Sequence, residues 1–429
     1  MRVLHVSQRY LPARGGAEEH LAHISRHLAR AGHSVTVLTT DALDMDLFWN
    51  PAARRIAERE SEIDGVRVLR FPVRHLPAAP LAYAGIRRLL WLSSSLGLPV
   101  SWAQAAAQLT PRVPDLARWL VNTSERFDIV GTTTICFEGL IGLGAGYARR
   151  TGTPHLVYPL THLGAGPRPG EDALSRFYTM RHQVALARGS AAVVAMTAGE
   201  AAFYVSRGVA PDKIAVIGPG VDPAQTKGGD AATFRARHGI RGPLVVSLST
   251  LMRDKGTVDV VEAARRLWRS GRDVSLALAG AVMPDFAAYL ASLPQPERNR
   301  ILTLGPISDT EKGDLLAAAD IFAMPSRTDS FGIVYLEAWL RGKPVIGART
   351  WGIMDVIADG VDGLLVPFGD PDQLAASLAA LLDDPARAAA MGAAGRAKTL
   401  AVHTWEKKLP QVEALYARLA AQGAQPCAS

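Results

Sequence analysis

Thirteen short runs of apolar, often β-branched residues recur along this chain of 429 residues, and amphipathic segments of helical length separate most of them. In the first half the runs occupy 2–6, 34–39, 66–70, 128–132, 154–158, 191–195 and 214–217. In the second half they occupy 244–248, 274–279, 301–304, 320–324, 344–347 and 364–366. A strand that is apolar along nearly its whole length must be covered on both faces, and helices between successive strands supply that cover. The pattern predicts an α/β architecture built on parallel sheets. A single core stops growing at roughly 250–300 residues, so two domains are expected. The rhythm breaks over 218–243, where Gly218-Pro219-Gly220, Asp222-Pro223 and Gly228-Gly229 fall among few large apolar residues. The inter-domain linker is expected there. One domain is then 1–222 and the other 223–403. A last amphipathic helix within 404–421, Trp405 to Ala421, is expected to join the first domain.

Composition narrows the class. With 48% hydrophobic and 20% charged residues, wholesale disorder is excluded. The two cysteines, Cys136 and Cys427, lie far apart and form no metal or disulfide framework, which points to a reducing compartment. The chain opens on a strand-like run, Arg2 to Val6, without the charged-then-apolar pattern of a secretory signal. No apolar run reaches the ~20 residues that span a bilayer. A cytoplasmic protein is expected.

The net charge of +7 is uneven, with 24 Lys and Arg against 18 Asp and Glu in residues 1–222. A basic first half suits a phosphorylated acceptor, an acidic lipid surface or nucleic acid, and equally suits solubility alone. Nucleic acid ranks last, because no aromatic-interleaved binding motif is present. The segment 81–102 carries Arg87-Arg88 among Leu89, Leu90, Trp91, Leu92, Leu96, Leu98 and Trp102. Such a segment can lie in a membrane interface, giving peripheral contact at the inner face of the membrane. A helix packed under a loop reads the same way.

Four motifs carry chemistry. Pro12 to Glu18 follows the first strand, and its pair Gly15-Gly16 lets backbone amides approach an anion at a helix N-terminus. A tight turn uses the same glycines. Arg253-Asp254-Lys255-Gly256 lies in the first strand–helix loop of the second half, where a lysine can reach a diphosphate as a mobile charge. A solvated surface pair is the plain alternative. In Pro325 to Ala338 a strand, Asp320 to Met324, ends in a polar loop, and a helix is expected to begin near Phe331. The amides of Ser330, Phe331, Gly332, Ile333 and Val334 would then face a diphosphate. Asp329 in that loop can accept hydrogen bonds from sugar hydroxyls, or cap the helix. Glu337 is expected two turns into the helix, where an ionised carboxylate among apolar neighbours needs donors. A pair of ribose hydroxyls would supply them, and so would a structural salt bridge. His162, just after a strand of the first half, can bond a sugar hydroxyl or be a structural histidine.

Two patterns are rejected. Asp44-Met45-Asp46 has the spacing of a metal-binding pair but no supporting ligand, so no metal is expected. Gly142, Gly144 and Gly146 resemble a dinucleotide fingerprint, yet Tyr147 stands where the third glycine belongs. Close helix packing explains them better.

These motifs, in this order, resemble the family-4 retaining glycosyltransferases, of glycosyltransferase group 1. The resemblance runs from Arg2 to about Trp405. It includes Gly15-Gly16-Ala17-Glu18, Ala31 to Leu38, Gly218-Pro219-Gly220-Val221-Asp222, the block from Pro325 to Val345, and Gly360 to Pro367. It implies the GT-B fold, in which two Rossmann-like parallel-sheet domains face each other across a cleft. It implies transfer of a hexosyl group from a UDP- or GDP-sugar to a hydroxyl acceptor, with the nucleotide-sugar as substrate and no cofactor or metal. By the same resemblance Glu337 binds the donor ribose, Asp329 the transferred sugar, and Lys255 the diphosphate, with Gly16 closing on it. His162 sits by the sugar, and the Gly305-Pro306-Ile307 loop holds the base, Ile307 among it.

The chain departs from the family's pattern in three places. Asp329 is one methylene shorter than the usual Glu. Ser249 and Thr250 stand where an Arg is usual, and Arg253 is a candidate for that charge. The usual Gly-Gly-Ile-Pro-Glu loop is Trp351-Gly352-Ile353-Met354-Asp355, which can reshape the sugar pocket. A phosphorylase, an epimerase or a non-catalytic nucleotide-sugar or glycan binder of the same fold are the competing readings. The acceptor, whether carbohydrate, lipid-linked or small molecule, has no signature in the loops 41–64, 74–114 and 163–182.

Overall fold

The computed structural model describes residues 1–224 and 228–423; Cys427 lies outside the described residues. The chain forms two compact units. The first is Met1–Thr161, Ala173–Gly218 and Lys408–Ser429, and the second is His162–Asp172 and Pro219–Lys407. The short excursion His162–Asp172 thus packs with the second unit although the chain on both sides of it belongs to the first.

The first unit holds eight strands: β1 (Arg2–Val6), β2 (Ser34–Thr40), β3 (Glu60–Ile63), β4 (Val66–Phe71), β5 (Ile129–Thr133), β6 (His155–Tyr158), β7 (Ala192–Ala195) and β8 (Ile214–Val216). Their order is β3-β4-β2-β1-β5-β6-β7-β8, and every pairing is parallel except β3 with β4. Seven of these strands coincide with the apolar runs; six are largely buried, and β8, at the other edge of the sheet, is partly exposed. The eighth, β3, reads Glu-Ser-Glu-Ile and sits at the sheet edge, half-exposed. It hides from an apolar scan. Its signal is the turn Asp64-Gly65, where both residues have positive φ (52° and 77°), the pattern of a two-residue hairpin.

The second unit holds β9 (Leu244–Leu248), β10 (Ser275–Ala279), β11 (Ile301–Gly305), β12 (Ile321–Met324), β13 (Val345–Ala348) and β14 (Gly363–Val366). The order β11-β10-β9-β12-β13-β14 is wholly parallel and reverses direction between β9 and β12. Loops leaving the C-terminal ends of the two strands at such a switch point frame a ligand crevice. Its core includes Val245, Leu278, Ile321 and Ile346 from the sheet, with Val261, Leu267, Leu374 and Leu378 from helices on it. Full burial of each such side chain is worth roughly 1.5–3 kcal/mol.

The stretch 218–243 is not linker throughout. Ala231–Arg237 is a helix, N-capped by Asp230, whose carboxylate accepts from Thr233 N at 2.9 Å, and Phe234 in it is buried. The units divide at Gly218/Pro219. Several residues carrying the family resemblance are explained by packing. A Cβ on Gly220 would stand 2.5 Å from the Trp405 amide nitrogen, and Val221 exchanges backbone hydrogen bonds with His403 and Trp405. Asp362 accepts from Ala358 N at 2.9 Å and pairs with Lys398.

Of the three helical glycines rejected as a fingerprint, Gly144 packs closely: an added Cβ would meet Thr132 Cγ2 at 2.6 Å. Gly142 and Gly146 face open space, so close packing does not explain them. Asp44 is occupied by Arg54, at 2.7 and 2.9 Å. Cys136 is enclosed, and burial pushes its thiol up to about 12. The C-terminal helix, Trp405–Gly423, packs with the first unit from Lys408 onward, where the buried Tyr416 hydroxyl meets His5 Nε2 at 2.8 Å.

The segment 81–102 falls on two helices, Ala79–Ser95 and Val100–Ala107. Arg87 is turned inward to the buried Glu138, 2.6 Å away, which also takes His182 at 3.0 Å. Leu90 is buried with Ala103 and Met180, whereas Leu81 is 78% exposed, Leu89 55% and Leu96 74%. Among the described residues no helix is long and apolar enough to cross a membrane.

Candidate active site

Both loops at the switch point of the second unit carry the expected residues. After β9 the chain makes a single tight turn, Arg253–Lys255, then Gly256, then the helix Thr257–Arg269. Gly256 has φ 74°, and a Cβ there would stand 2.3 Å from the Pro325 carbonyl oxygen. Only glycine lets the two loops approach this closely. After β12 comes Pro325–Gly332, and Gly332 (φ 82°) starts the helix Ile333–Leu340. The helix thus begins two residues later than the sequence suggested, and Glu337 stands one turn into it rather than two.

The loops are clipped together by charge. Arg327 grips Asp254 through two hydrogen bonds, at 2.6 and 2.9 Å, and lies over the Phe368 ring at 5.0 Å. Beside this clip, Lys255 Nζ donates to Asp329 Oδ1 at 2.8 Å, with both side chains about one-fifth exposed. Burial, the largest single influence, would raise the Asp329 carboxyl, but the Lys255 charge and hydrogen bond, with smaller help from Ser326 and His162, together hold it below the usual carboxylate range. Asp329 Oδ2 has no hydrogen-bond partner among the described residues. Next along the chain are Ser330 to Val334, whose amides take no backbone acceptor among the described residues. Their dipoles make that helix start a place where negative charge is favoured.

His162 belongs to the same unit, and the charges of Lys255 and Asp329 both act on it. Burial lowers its imidazole to about 4, so it is neutral near pH 7. Glu337 meets Lys312 Nζ at 2.7 Å, and Lys312 in turn stands 3.6 Å from Asp309. The salt-bridge alternative for Glu337 is therefore present in the structure, and it leaves Oε2 of that carboxylate for other donors. Lys312 was not singled out from the sequence; the spacing Asp309-x-x-Lys312 on the helix Asp309–Ala318 is its only local sign.

The remaining expected residues are Arg253, Ile307 and Gly16. Arg253 is exposed on its turn, and the charge it acts on is that of Asp259. Ile307 is half-buried in the loop after β11, just before Ser308 caps the next helix. In the first unit, Gly15 and Gly16 divide their roles. A Cβ on Gly15 would collide with Glu18 Oε2 at 2.3 Å, whereas one on Gly16 would meet nothing within 4 Å. Gly15 is needed by its own loop, where Glu18 forms a buried pair with Arg9 at 2.9 Å. Gly16 opens the helix Gly16–Arg30 with its backbone accessible.

Comparison with known proteins bears on the family and the fold. Residues 15–220 match the glycosyl transferase 4-like domain family, and residues 230–398 match the family of glycosyl transferases group 1. The chain is a group 1 glycosyltransferase of family 4, with the GT-B fold. A D-inositol 3-phosphate glycosyltransferase from Catenulispora acidiphila is 28% identical over 419 residues, spanning 94% of this chain and 90% of the relative. A GDP-mannose-dependent alpha-(1-6)-phosphatidylinositol monomannoside mannosyltransferase from Mycolicibacterium smegmatis is 29% identical, over 95% of this chain and 96% of the relative. Among solved structures, Anabaena HepE in complex with UDP-glucose superposes with a TM-score of 0.70 at 20% identity, covering 97% of this chain and all of that one. The chain is thus an enzyme, a glycosyltransferase.

Proposed function

We propose that this glycosyltransferase moves a hexosyl group from a UDP- or GDP-sugar to a hydroxyl of a phosphorylated polyol or lipid-linked acceptor, with retention at the anomeric carbon and without a metal. The observation that carries this reading is the Lys255–Asp329 pair beside the open amides of Ser330 to Val334 at the strand switch point. Lys255 and the helix start favour the charge that grows on the departing diphosphate, the kind of preorganised stabilisation that usually dominates catalysis. Asp329 Oδ2 accepts from hydroxyls of the transferred sugar, and the neutral His162 accepts from or donates to them. Glu337 takes the ribose, Ile307 lies by the base, and Gly16 suits close approach of an anion. Arg253, exposed beside Lys255, adds long-range positive potential.

Asp329 Oδ1 is engaged by Lys255, and the reading is front-face departure. The glycosidic bond to diphosphate breaks, the acceptor oxygen bonds the anomeric carbon on the same face, and the acceptor proton passes to the leaving diphosphate oxygen. The relatives named for inositol phosphate and phosphatidylinositol mannoside support a polyol or lipid-linked acceptor. Incubation with UDP- and GDP-hexoses and a phosphorylated inositol, followed by the anomeric proton coupling of the product, tests the reading. An α-linked product from an α-linked donor is expected; an inverted product contradicts it.

The outward leucines support peripheral membrane contact in a reducing, cytoplasmic setting. Leu81, Leu89, Leu92 and Leu96 recur at helical spacing on one face, and Leu98 and Trp102 continue it. From Gly65 to Pro114 the sequence has six arginines and no acidic residue, but Arg67, Arg74 and Arg87 pair with acidic side chains from outside that stretch and Arg70 is buried, which leaves Arg88 exposed beside the leucines. Apolar side chains with a flanking positive charge suit an anionic bilayer surface.

A further inference from the structure

The loop after β13 contains a residue whose side chain reaches the His162 segment. Trp351 donates twice to the excursion His162–Asp172: its backbone N to Gly164 O at 3.1 Å, and its indole Nε1 to Gly166 O at 2.9 Å. Within that excursion, Gly170 N donates to Leu163 O at 2.8 Å and Ala165 N to Asp172 Oδ2 at 2.8 Å. Gly164 and Gly170 bend it at φ 76° and 83°. The residue after Trp351 faces the other side of the cluster: a Cβ on Gly352 would stand 2.6 Å from the Asp329 carbonyl oxygen. One short loop therefore touches the chain carrying His162 and the chain carrying Asp329.

We propose that Trp351 is a positioning residue, whose indole N–H fixes the His162 segment at the distance from Lys255 and Asp329 at which His162 meets the transferred sugar. The inference rests on the assignment of those three residues to the sugar site. An indole suits the task because it carries an apolar body and a single donor at its rim. Phenylalanine keeps most of the body and has no donor. Loss of one neutral hydrogen bond costs of the order of 0.5–1.5 kcal/mol, which is roughly a three- to tenfold change in rate.

The test is a cycle of wild type, Trp351→Phe, His162→Ala and the double variant, assayed for acceptor-dependent nucleotide release. Hydrogen exchange of residues 163–166 is measured in parallel on the folded, ligand-free proteins. Trp351→Phe is expected to lower kcat roughly three- to tenfold, with donor KM within twofold, and to speed exchange of the 163–166 amides. In the His162→Ala background it is expected to change kcat no further, because residues acting through one another are not additive. Effects that multiply in the double variant, or a Trp351→Phe enzyme with wild-type kcat and exchange, overturn the positioning role alone. Wild-type kcat in His162→Ala overturns the site assignment and the positioning role with it. Trp351→Leu, which also lacks the donor, is the second variant should the Phe form fail to fold.

Discussion

Lys255 and Asp329 face each other across the switch point of the second sheet, Nζ to Oδ1 at 2.8 Å, each carried by the loop that follows one of the two strands flanking the reversal. The pair links topology to chemistry. The strand order decides which loops meet, Gly256 lets them meet closely, and the Arg327–Asp254 clip keeps them there. Lys255→Ala is expected to lower turnover by ~100-fold or more, the scale for removing one donor that stabilises developing charge. Steady-state kinetics checks this, with circular dichroism confirming the fold. Asp329, left buried without its partner, adds a stability cost to the same variant.

Glu337 separates two readings that the sequence could not. If it binds the donor ribose, Glu337→Ala lowers kcat/KM for donor by roughly 10- to 100-fold, as expected for losing hydrogen bonds to a charged group. If it serves only to pair with Lys312, then Lys312→Met has the same effect. The account predicts that Lys312→Met is the milder of the two at limiting donor.

His162 gives a pH signature. Burial lowers its imidazole to about 4, so it is uncharged from pH 6 upward and takes a proton only as the pH falls toward that value. The rate is expected to show no ionisation near pH 6.5 that disappears in His162→Ala. A limb at that pH in wild type, lost in the variant, contradicts a neutral, buried imidazole.

The leucine stripe predicts binding to vesicles. Flotation with phosphatidylcholine vesicles carrying an anionic lipid is expected to take the protein up, and uptake is expected to fall as salt screens Arg88. Replacing Leu89 and Leu96 with Glu is expected to abolish flotation with little effect on stability, because both side chains are more than half exposed. Equal flotation of the variant contradicts the stripe as the contact.

Much of the fold was legible because a doubly covered parallel strand is apolar over most of its length, and thirteen of the fourteen strands coincide with apolar runs, the partly exposed edge strands β8 and β11 among them. β3 did not, since this antiparallel edge strand carries Glu60, Ser61 and Glu62, and only Asp64-Gly65 betrayed it. The helix Ala231–Arg237 was read as linker because its single buried apolar anchor, Phe234, leaves too little periodicity. At the site, the loops with Lys255 and Asp329 were readable from glycine placement and charge. Lys312 was not, and Trp351 was read as shaping the sugar pocket without its bond to the His162 segment, because their partners lie 25 and 185 residues away in sequence and local pattern carries no trace of such pairings. Arg87 shows the same limit in reverse: on a segment that reads as basic and interfacial, it is spent on Glu138 inside.

The central claim, a nucleotide-sugar site built on Lys255 and Asp329, is tested most directly by thermal stabilisation. UDP, GDP, ADP and TDP are added to wild type and to Lys255→Ala, with magnesium and with chelator. A ligand at ~100 times its Kd adds about 2.7 kcal/mol to the folded state. The account predicts that UDP or GDP raises the melting temperature of wild type equally with and without magnesium, and that Lys255→Ala loses most of the shift. No shift with any nucleotide, or an undiminished shift in Lys255→Ala, contradicts it.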